Sequence, residues 1–386
     1  MKKISRLMAE AGVDVLIAAT PVDIFYLTGR VLNGYVVLVA GDPEPWLFVR
    51  RPVGLEGERV RYVRKPEQLP ELLAAEAGLA PASVRRLAVE LDSLSYTDCR
   101  RLAALWPEAE LTSADALLRR SRAVKTEAEQ ELMRRCGRVH ARCYAAVPEV
   151  YRPGMTDHEF ALRFELLQRR MGHIGLFRTF GPQMEAFMGS SYLIGDNADA
   201  PSPYDFALGG AGMSEALPMG GNGSVLQPGQ TLMVDGGGCF GPYMTDMTRV
   251  YTLGDPVRLA PLALRAHACS IAVHDLFRRE ARPGVPCADL YGRALALVEA
   301  EGLRPYFMGH RQQAAFVGHG VGLQINELPV LHAKSRDVLE AGHAVALEPK
   351  FVIPGIGAVG VENTYLIHDD CAECLTELDE EIQGIE

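Results

Sequence analysis

A chain of 386 residues is long for one ordinary domain and suits two, each able to build an apolar core without staples. A net charge of -10 at pH 7 argues against nucleic acid as a partner, because Lys and Arg would have to neutralise phosphates. No run approaches the roughly 20 apolar residues of a membrane span.

The start, Met1-Lys2-Lys3-Ile4-Ser5-Arg6-Leu7, is amphipathic, and Glu10 and Asp14 interrupt any apolar core of the secretion-signal kind, so a cytoplasmic location is expected. Residues 13–19 then form a short apolar run of buried-strand type. Residues 35–40, 46–49 and 87–91 are further strand candidates, with helical patterns over 69–77 and 97–105. This alternation predicts a small α/β domain over residues 1–121. A long helical pattern from about 126 to 147 opens the second domain, 122–386.

That second domain contains an echo. Arg152-Pro153-Gly154 recurs 130 positions later as Arg282-Pro283-Gly284, and at the same offset Phe160 meets Leu290, Arg163 meets Arg293, Leu167 meets Leu297 and Gly172 meets Gly302. Thr156-Asp157-His158-Glu159 has capping-box form for the helix of the first copy. The pattern predicts two αβ lobes related by a pseudo-twofold, an α+β arrangement with a pocket where their sheets meet.

Three segments carry chemistry. Leu232-Met233-Val234-Asp235 and Tyr243-Met244-Thr245-Asp246-Met247-Thr248-Arg249 read as a hairpin with one carboxylate on each arm. Gly318-His319-Gly320-Val321-Gly322 sets a histidine between glycines, where backbone approaches closely. Val345-Ala346-Leu347-Glu348-Pro349-Lys350 and Gly360-Val361-Glu362-Asn363-Thr364 form a second hairpin, again with an acid on each arm. Singly, each acid reads as a solvated strand-end residue. As an ordered set inside apolar strands they need positive charge, and two divalent cations supply it. Carboxylates can bridge such ions about 3.5–4 Å apart, with a shared hydroxide as nucleophile. Oxygen donors with one imidazole favour manganese or cobalt, with zinc and iron also compatible.

The order Asp, Asp, Gly-His-Gly-x-Gly, Glu-Pro and a final Glu-Asn-Thr resembles the pita-bread superfamily of methionine aminopeptidase, aminopeptidase P, prolidase and creatinase. Ile24-Phe25-Tyr26-Leu27-Thr28-Gly29 and Ala123-Val124-Lys125-Thr126-Glu127 resemble the prolidase and aminopeptidase P branch, which adds an N-terminal domain. The resemblance implies that Asp235, Asp246, His319, Glu348 and Glu362 are metal ligands and that Glu348 also moves protons. It further implies a homodimer acting on small peptides before proline.

The pattern also breaks. Where such peptidases carry two more histidines, this chain has Met219 and Asn326, and Gly360 stands where an arginine is common. Asn326 keeps a donor for an oxyanion but cannot titrate, and Met219 does neither. His310 is a candidate pocket histidine by position. An irregular stretch between Gly172 and Met219 is expected near the pocket, its Gly209-Gly210-Ala211-Gly212 run flexible. These departures leave open a hydrolase or lyase acting on a non-peptide small molecule, and a binding protein that uses the pocket without catalysis.

Overall fold

A computed structural model describes residues 2–181, 190–204 and 206–386. The chain divides into two compact units, Met1–Arg122 and Ala123–Glu386.

The first unit contains α1 (Lys2–Glu10), β1 (Val15–Ala18), α2 (Pro21–Thr28), β2 (Asn33–Val39), β3 (Trp46–Arg51), β4 (Val60–Tyr62), α3 (Leu69–Ala77), β5 (Arg86–Val89), α4 (Tyr96–Ala103), β6 (Glu110–Ser113) and α5 (Asp115–Ala123). Its strands form one sheet in the order β4-β3-β2-β1-β5-β6. Central β1 runs antiparallel to β2 and parallel to β5. Strand alternation sends Leu16 and Ala18 into a core with Ile4, Met8 and Ile24, and sends Val15 and Ile17 into another with Leu69, Leu73 and Leu102. A strand covered on both faces reads as an unbroken apolar run, which is why β1 is plain in the sequence. The edge strands β4 and β6 are short and partly exposed, so they carry no such run.

The second unit continues with α6 (Glu127–Ala145), α7 (Val147–Val150), α8 (Asp157–Arg170), β7 (Ser190–Ile194), β8 (Thr231–Gly238), β9 (Thr245–Leu253), α9 (Pro261–Glu280), α10 (Cys287–Ala300), β10 (Phe316–Gly320), β11 (Glu327–His332), β12 (Ala344–Leu347), β13 (Lys350–Ile353), β14 (Gly357–Gly360), β15 (Asn363–Ile367), β16 (Ala372–Cys374) and β17 (Gln383–Ile385). Thr126 caps α6 and Thr156 caps α8, each in a reciprocal box with the glutamate three residues on. Helices α8 and α10 each span 14 residues and stand in equivalent places in the Arg-Pro-Gly echo.

Two sheets follow, β17-β9-β8-β7 and β11-β10-β12-β15-β16, with β13 and β14 as a separate hairpin. Helices α6 and α8 cover the first through Tyr144, Phe160 and Phe164, packed with Val234, Met247 and Tyr251. Helices α9 and α10 cover the second through Val273, Phe277 and Leu290, packed with Val345 and Tyr365. Thr248 and Glu362 join the two sheets by a backbone bridge, at 3.3 and 3.2 Å.

The stretch between Gly172 and Met219 is more ordered than its composition suggests. It contains β7, paired with β8. The glycine run is tied by Gly220 N to Gly209 O at 2.7 Å and Ala211 N to Asn197 Oδ1 at 2.9 Å, so it is not a free loop. Part of the stretch, 182–189 and 205, lies outside the described residues.

Candidate metal centre

The β8–β9 ladder pairs Asp235 with Thr248 and Gly237 with Asp246. Residues opposite each other share a face, and so do residues two apart, so Asp235, Thr248 and Asp246 all point to one side of the sheet. Thr364 fixes the backbone of Asp246 from the other sheet: its Oγ1 accepts from Asp246 N at 2.8 Å and donates to Asp246 O at 2.9 Å.

The second pair of acids sits at a break in a ladder. Strands β12 and β15 pair as far as Leu347 and Asn363, and pairing resumes between β13 and β14 at Lys350 and Gly360. Glu348, Pro349, Val361 and Glu362 form the gap. Proline has no N–H to give a ladder, and the interruption frees both glutamates to aim inward.

His319 lies on β10, paired with β11 and β12. Its flanking glycines serve close approach: a Cβ at Gly318 would sit 2.5 Å from Ala346 O, and one at Gly320 would sit 2.1 Å from Leu328 O. His319 Nδ1 is 3.1 Å from Gly320 O. A carbonyl only accepts, so Nδ1 carries the hydrogen and Nε2 faces the acids, 3.3 Å from Glu348 and 4.0 Å from Asp246.

Ligand atoms of Asp246, His319 and Glu362 lie within 4.8 Å of one another. Glu362 Oε1 is buried and has no hydrogen-bond partner among the described residues. A buried, unpaired carboxylate oxygen is costly, and beside an imidazole nitrogen and another carboxylate it makes a donor set that fits a divalent cation.

The sequence reading missed the residue at the middle of this cluster. Lys350 is fully buried, its Nζ 2.8 Å from Asp235 Oδ2, 2.7 Å from Glu348 Oε2 and 3.0 Å from Glu362 Oε2. The signal was a lysine at the head of the apolar run Lys350-Phe351-Val352-Ile353, since lysine is almost never buried without partners. Thr248 was missed too; its Oγ1 is 2.7 Å from both Asp235 Oδ1 and Glu362 Oε2. Behind it, Arg249 is buried and donates to Glu362 O at 3.0 Å, Asn363 Oδ1 at 2.9 Å and Leu378 O at 3.0 Å, bracing the gap against the C-terminal segment.

The charges are strained accordingly. Burial and then the charge of Asp235 push Asp246 up to about 7. Burial and then Asp246 hold Glu362 well above the carboxylate range. Burial also pushes Glu348 upward, but Lys350 and His319 outweigh it and bring it down to about 2. For His319 burial lowers the value, and Glu348 and Asp246 reverse this to about 9. Two acids that favour the neutral form mark a group short of positive charge.

The other candidates have partners outside the clustered acids. His310 is exposed, its Nδ1 2.9 Å from Asp199, and it stacks on Tyr306 at 6.0 Å. Asn326 is bound at both ends of its amide to one backbone unit: Oδ1 accepts from Phe180 N at 2.6 Å and Nδ2 donates to Phe180 O at 3.1 Å. It fastens the segment near Phe180, which occupies Oδ1 and one of the two N–H donors of Nδ2. Met219 lies in a turn, its N bonded to Leu217 O at 2.9 Å. Cys239 is buried with its Sγ 3.3 Å from Gly241 O, a packing role. Lys125 of the Ala-Val-Lys-Thr-Glu segment is buried against Glu327 at 3.0 Å. A cavity of about 950 Å³ on the first unit, lined by Tyr35, Arg50 and Asp98 among others, includes none of the clustered acids.

The chain is similar to known proteins over nearly its whole length. The model of the Creatinase/Prolidase N-terminal domain matches residues 1–124, and that of Metallopeptidase family M24 matches residues 131–369. A relative in Pyrococcus furiosus, an Xaa-Pro dipeptidase, is 24% identical over 393 residues, covering 99% of each chain. The prolidase structure from Pyrococcus horikoshii OT3 superposes with a TM-score of 0.76 at 20% identity, covering 99% of each chain. The Xaa-Pro dipeptidase structure from Bacillus anthracis gives 0.79 at 20% identity, covering 100% of this chain and 99% of that one. The fold is theirs: a creatinase-type N-terminal domain and an α+β pita-bread catalytic domain. With a family model matched over most of its length, the chain belongs to metallopeptidase family M24.

Proposed function

We propose that this chain is a metal-dependent Xaa-Pro peptidase of dipeptidase or aminopeptidase P type, acting on small peptides. The observation that carries the reading is the convergence of Asp246, His319 and Glu362 on one point with Glu348 beside them. Residues 1–121 are the added N-terminal domain in this reading, and 122–386 carry the chemistry. The relatives' names favour a peptidase over a small-molecule hydrolase or lyase.

Asp246, His319 and Glu362 would hold a divalent ion, which when bound would supply Lewis-acid polarisation and an acidified water at neutral pH. Manganese or cobalt suits a set of hard oxygens with one imidazole. Around it, Glu348 presents one oxygen to Lys350 and the other towards His319, placing an ionised carboxylate where a proton can be taken and returned. Thr248 and Lys350 hold Asp235 by both oxygens and so fix its orientation.

Among the described residues no helix is long and apolar enough to cross a membrane. A cytoplasmic homodimer completes the proposal, the dimer tested by native mass in solution. Metal-stripped protein reloaded with manganese or cobalt is expected to release proline from Xaa-Pro, or the first residue from Xaa-Pro-Yaa. No turnover of either class by the loaded protein removes the reading.

A further inference from the structure

We propose that Lys350 fills one cation position of this site, so that the chain takes a single divalent ion, at Asp246, His319 and Glu362, rather than the expected pair. The inference deepens the peptidase reading and rests on it for the ion's purpose.

The oxygens divide into two groups. Both oxygens of Asp235 are occupied, Oδ1 by Thr248 and Oδ2 by Lys350. Glu348 Oε2 and Glu362 Oε2 face the same ammonium at 2.7 and 3.0 Å. A second ion on the Asp235 side would have to displace a fully buried ammonium from three carboxylates, and Lys350 is enclosed by protein on every side. Leaving a lysine charge buried without partners is far costlier than leaving it where it is. On the other side the situation is reversed. Among the described residues Glu362 Oε1 is unpartnered, and His319 Nε2 faces Glu348 and Asp246.

Charge balance agrees. Four carboxylates meet here, Lys350 offsets one and a divalent ion offsets two, leaving one negative charge beside an imidazole. A second ion would turn a buried cluster that already contains an ammonium net positive. Hairpin geometry makes room for the lysine: it stands opposite Gly360, which has no side chain to contest the space.

The test is metal stoichiometry. Full-length protein is stripped with a chelator, reloaded with Mn(II), freed of excess and measured by elemental analysis, with electron paramagnetic resonance on the same sample. One manganese per chain with the spectrum of isolated Mn(II) is expected. Two ions per chain, an exchange-coupled spectrum, or no bound manganese overturns the inference. In Lys350→Ala the manganese content should double and coupling should appear; a folded variant that still takes one ion shows that the lysine is not what excludes the second. If the variant fails to fold, the unaltered protein's stoichiometry still decides. Turnover of Xaa-Pro peptides separates the two readings. One ion without turnover removes the peptidase and leaves the lysine's role, whereas two ions with turnover does the opposite.

Discussion

Lys350 and Gly360 face each other across the β13–β14 ladder, and the glycine has φ +140°. A Cβ there would lie 2.6 Å from Pro349 O and 2.9 Å from Lys350 Cα. Gly360→Ala therefore forces apart the two arms that carry Glu348 and Glu362. Backbone strain of this kind costs about 1–3 kcal/mol. The urea midpoint of the second unit should fall, and manganese should bind more weakly in calorimetry. An unchanged midpoint with unchanged binding contradicts the argument.

Thr248 Oγ1 has one hydrogen and two carboxylate oxygens at 2.7 Å. The near-isosteric Thr248→Val removes a hydrogen-bond partner of Asp235 Oδ1. Loss of a partner to a buried polar group costs about 1–3 kcal/mol. Thr248→Val should lose that much stability and most peptidase turnover, while Thr248→Ser keeps both. Equal behaviour of the two variants in denaturation and turnover counts against a structural role for the hydroxyl.

Asn326 stands where peptidases with this pattern carry a histidine, so Asn326→His looks like a repair. Both ends of its amide hold Phe180, and one imidazole cannot donate to Phe180 O and accept from Phe180 N in the same plane. Asn326→His, alone or with Met219→His, is expected to give no increase in Xaa-Pro turnover and to loosen the segment near Phe180, read as faster proteolytic nicking there. Asn326→Asp, which sets a carboxylate against Phe180 O, should do the same. A clear gain in turnover from the histidine variants would show a peptidase site merely awaiting its imidazoles.

What was legible in the chain follows from what each residue had to satisfy. Asp235, Asp246, Glu348 and Glu362 stood out as an ordered set, because so many carboxylates inside apolar strands need positive charge, and His319 because its flanking glycines allow close approach. Strands β1 and β2 were visible as apolar runs because both their faces are covered. Strand β7 was hidden within a glycine- and proline-rich stretch, since its order comes from pairing with β8, a partner distant in sequence. Lys350 was quoted as the end of a motif and passed over. Its role depends on three acids that meet only in the folded chain; locally it shows only as a lysine heading an apolar run. The same holds for Asn326, whose partner Phe180 is 146 positions away.

Glu90 makes the first unit's stability depend on pH. It is fully buried just after β5, accepts from Thr20 N at 3.0 Å and from Ala19 N and Thr20 Oγ1, and lies beside Asp23, which is paired with Arg122. Burial, then the charge of Asp23, raises it from 4.5 to about 8. The folded state thus keeps a proton that the unfolded state has already released, so stability falls as pH rises. This contribution is fully present below about 4.5, shrinks from there upward and is gone once pH passes about 8. Both tryptophans of the chain, Trp46 and Trp106, are buried in this unit, so their fluorescence reports its unfolding within the intact protein. Urea midpoints read this way should drop between pH 5 and pH 8.5, corresponding to a loss of unfolding free energy on the order of a few kcal/mol. Glu90→Gln, which cannot ionise, should flatten the drop. A slope that persists in Glu90→Gln places the titrating group elsewhere.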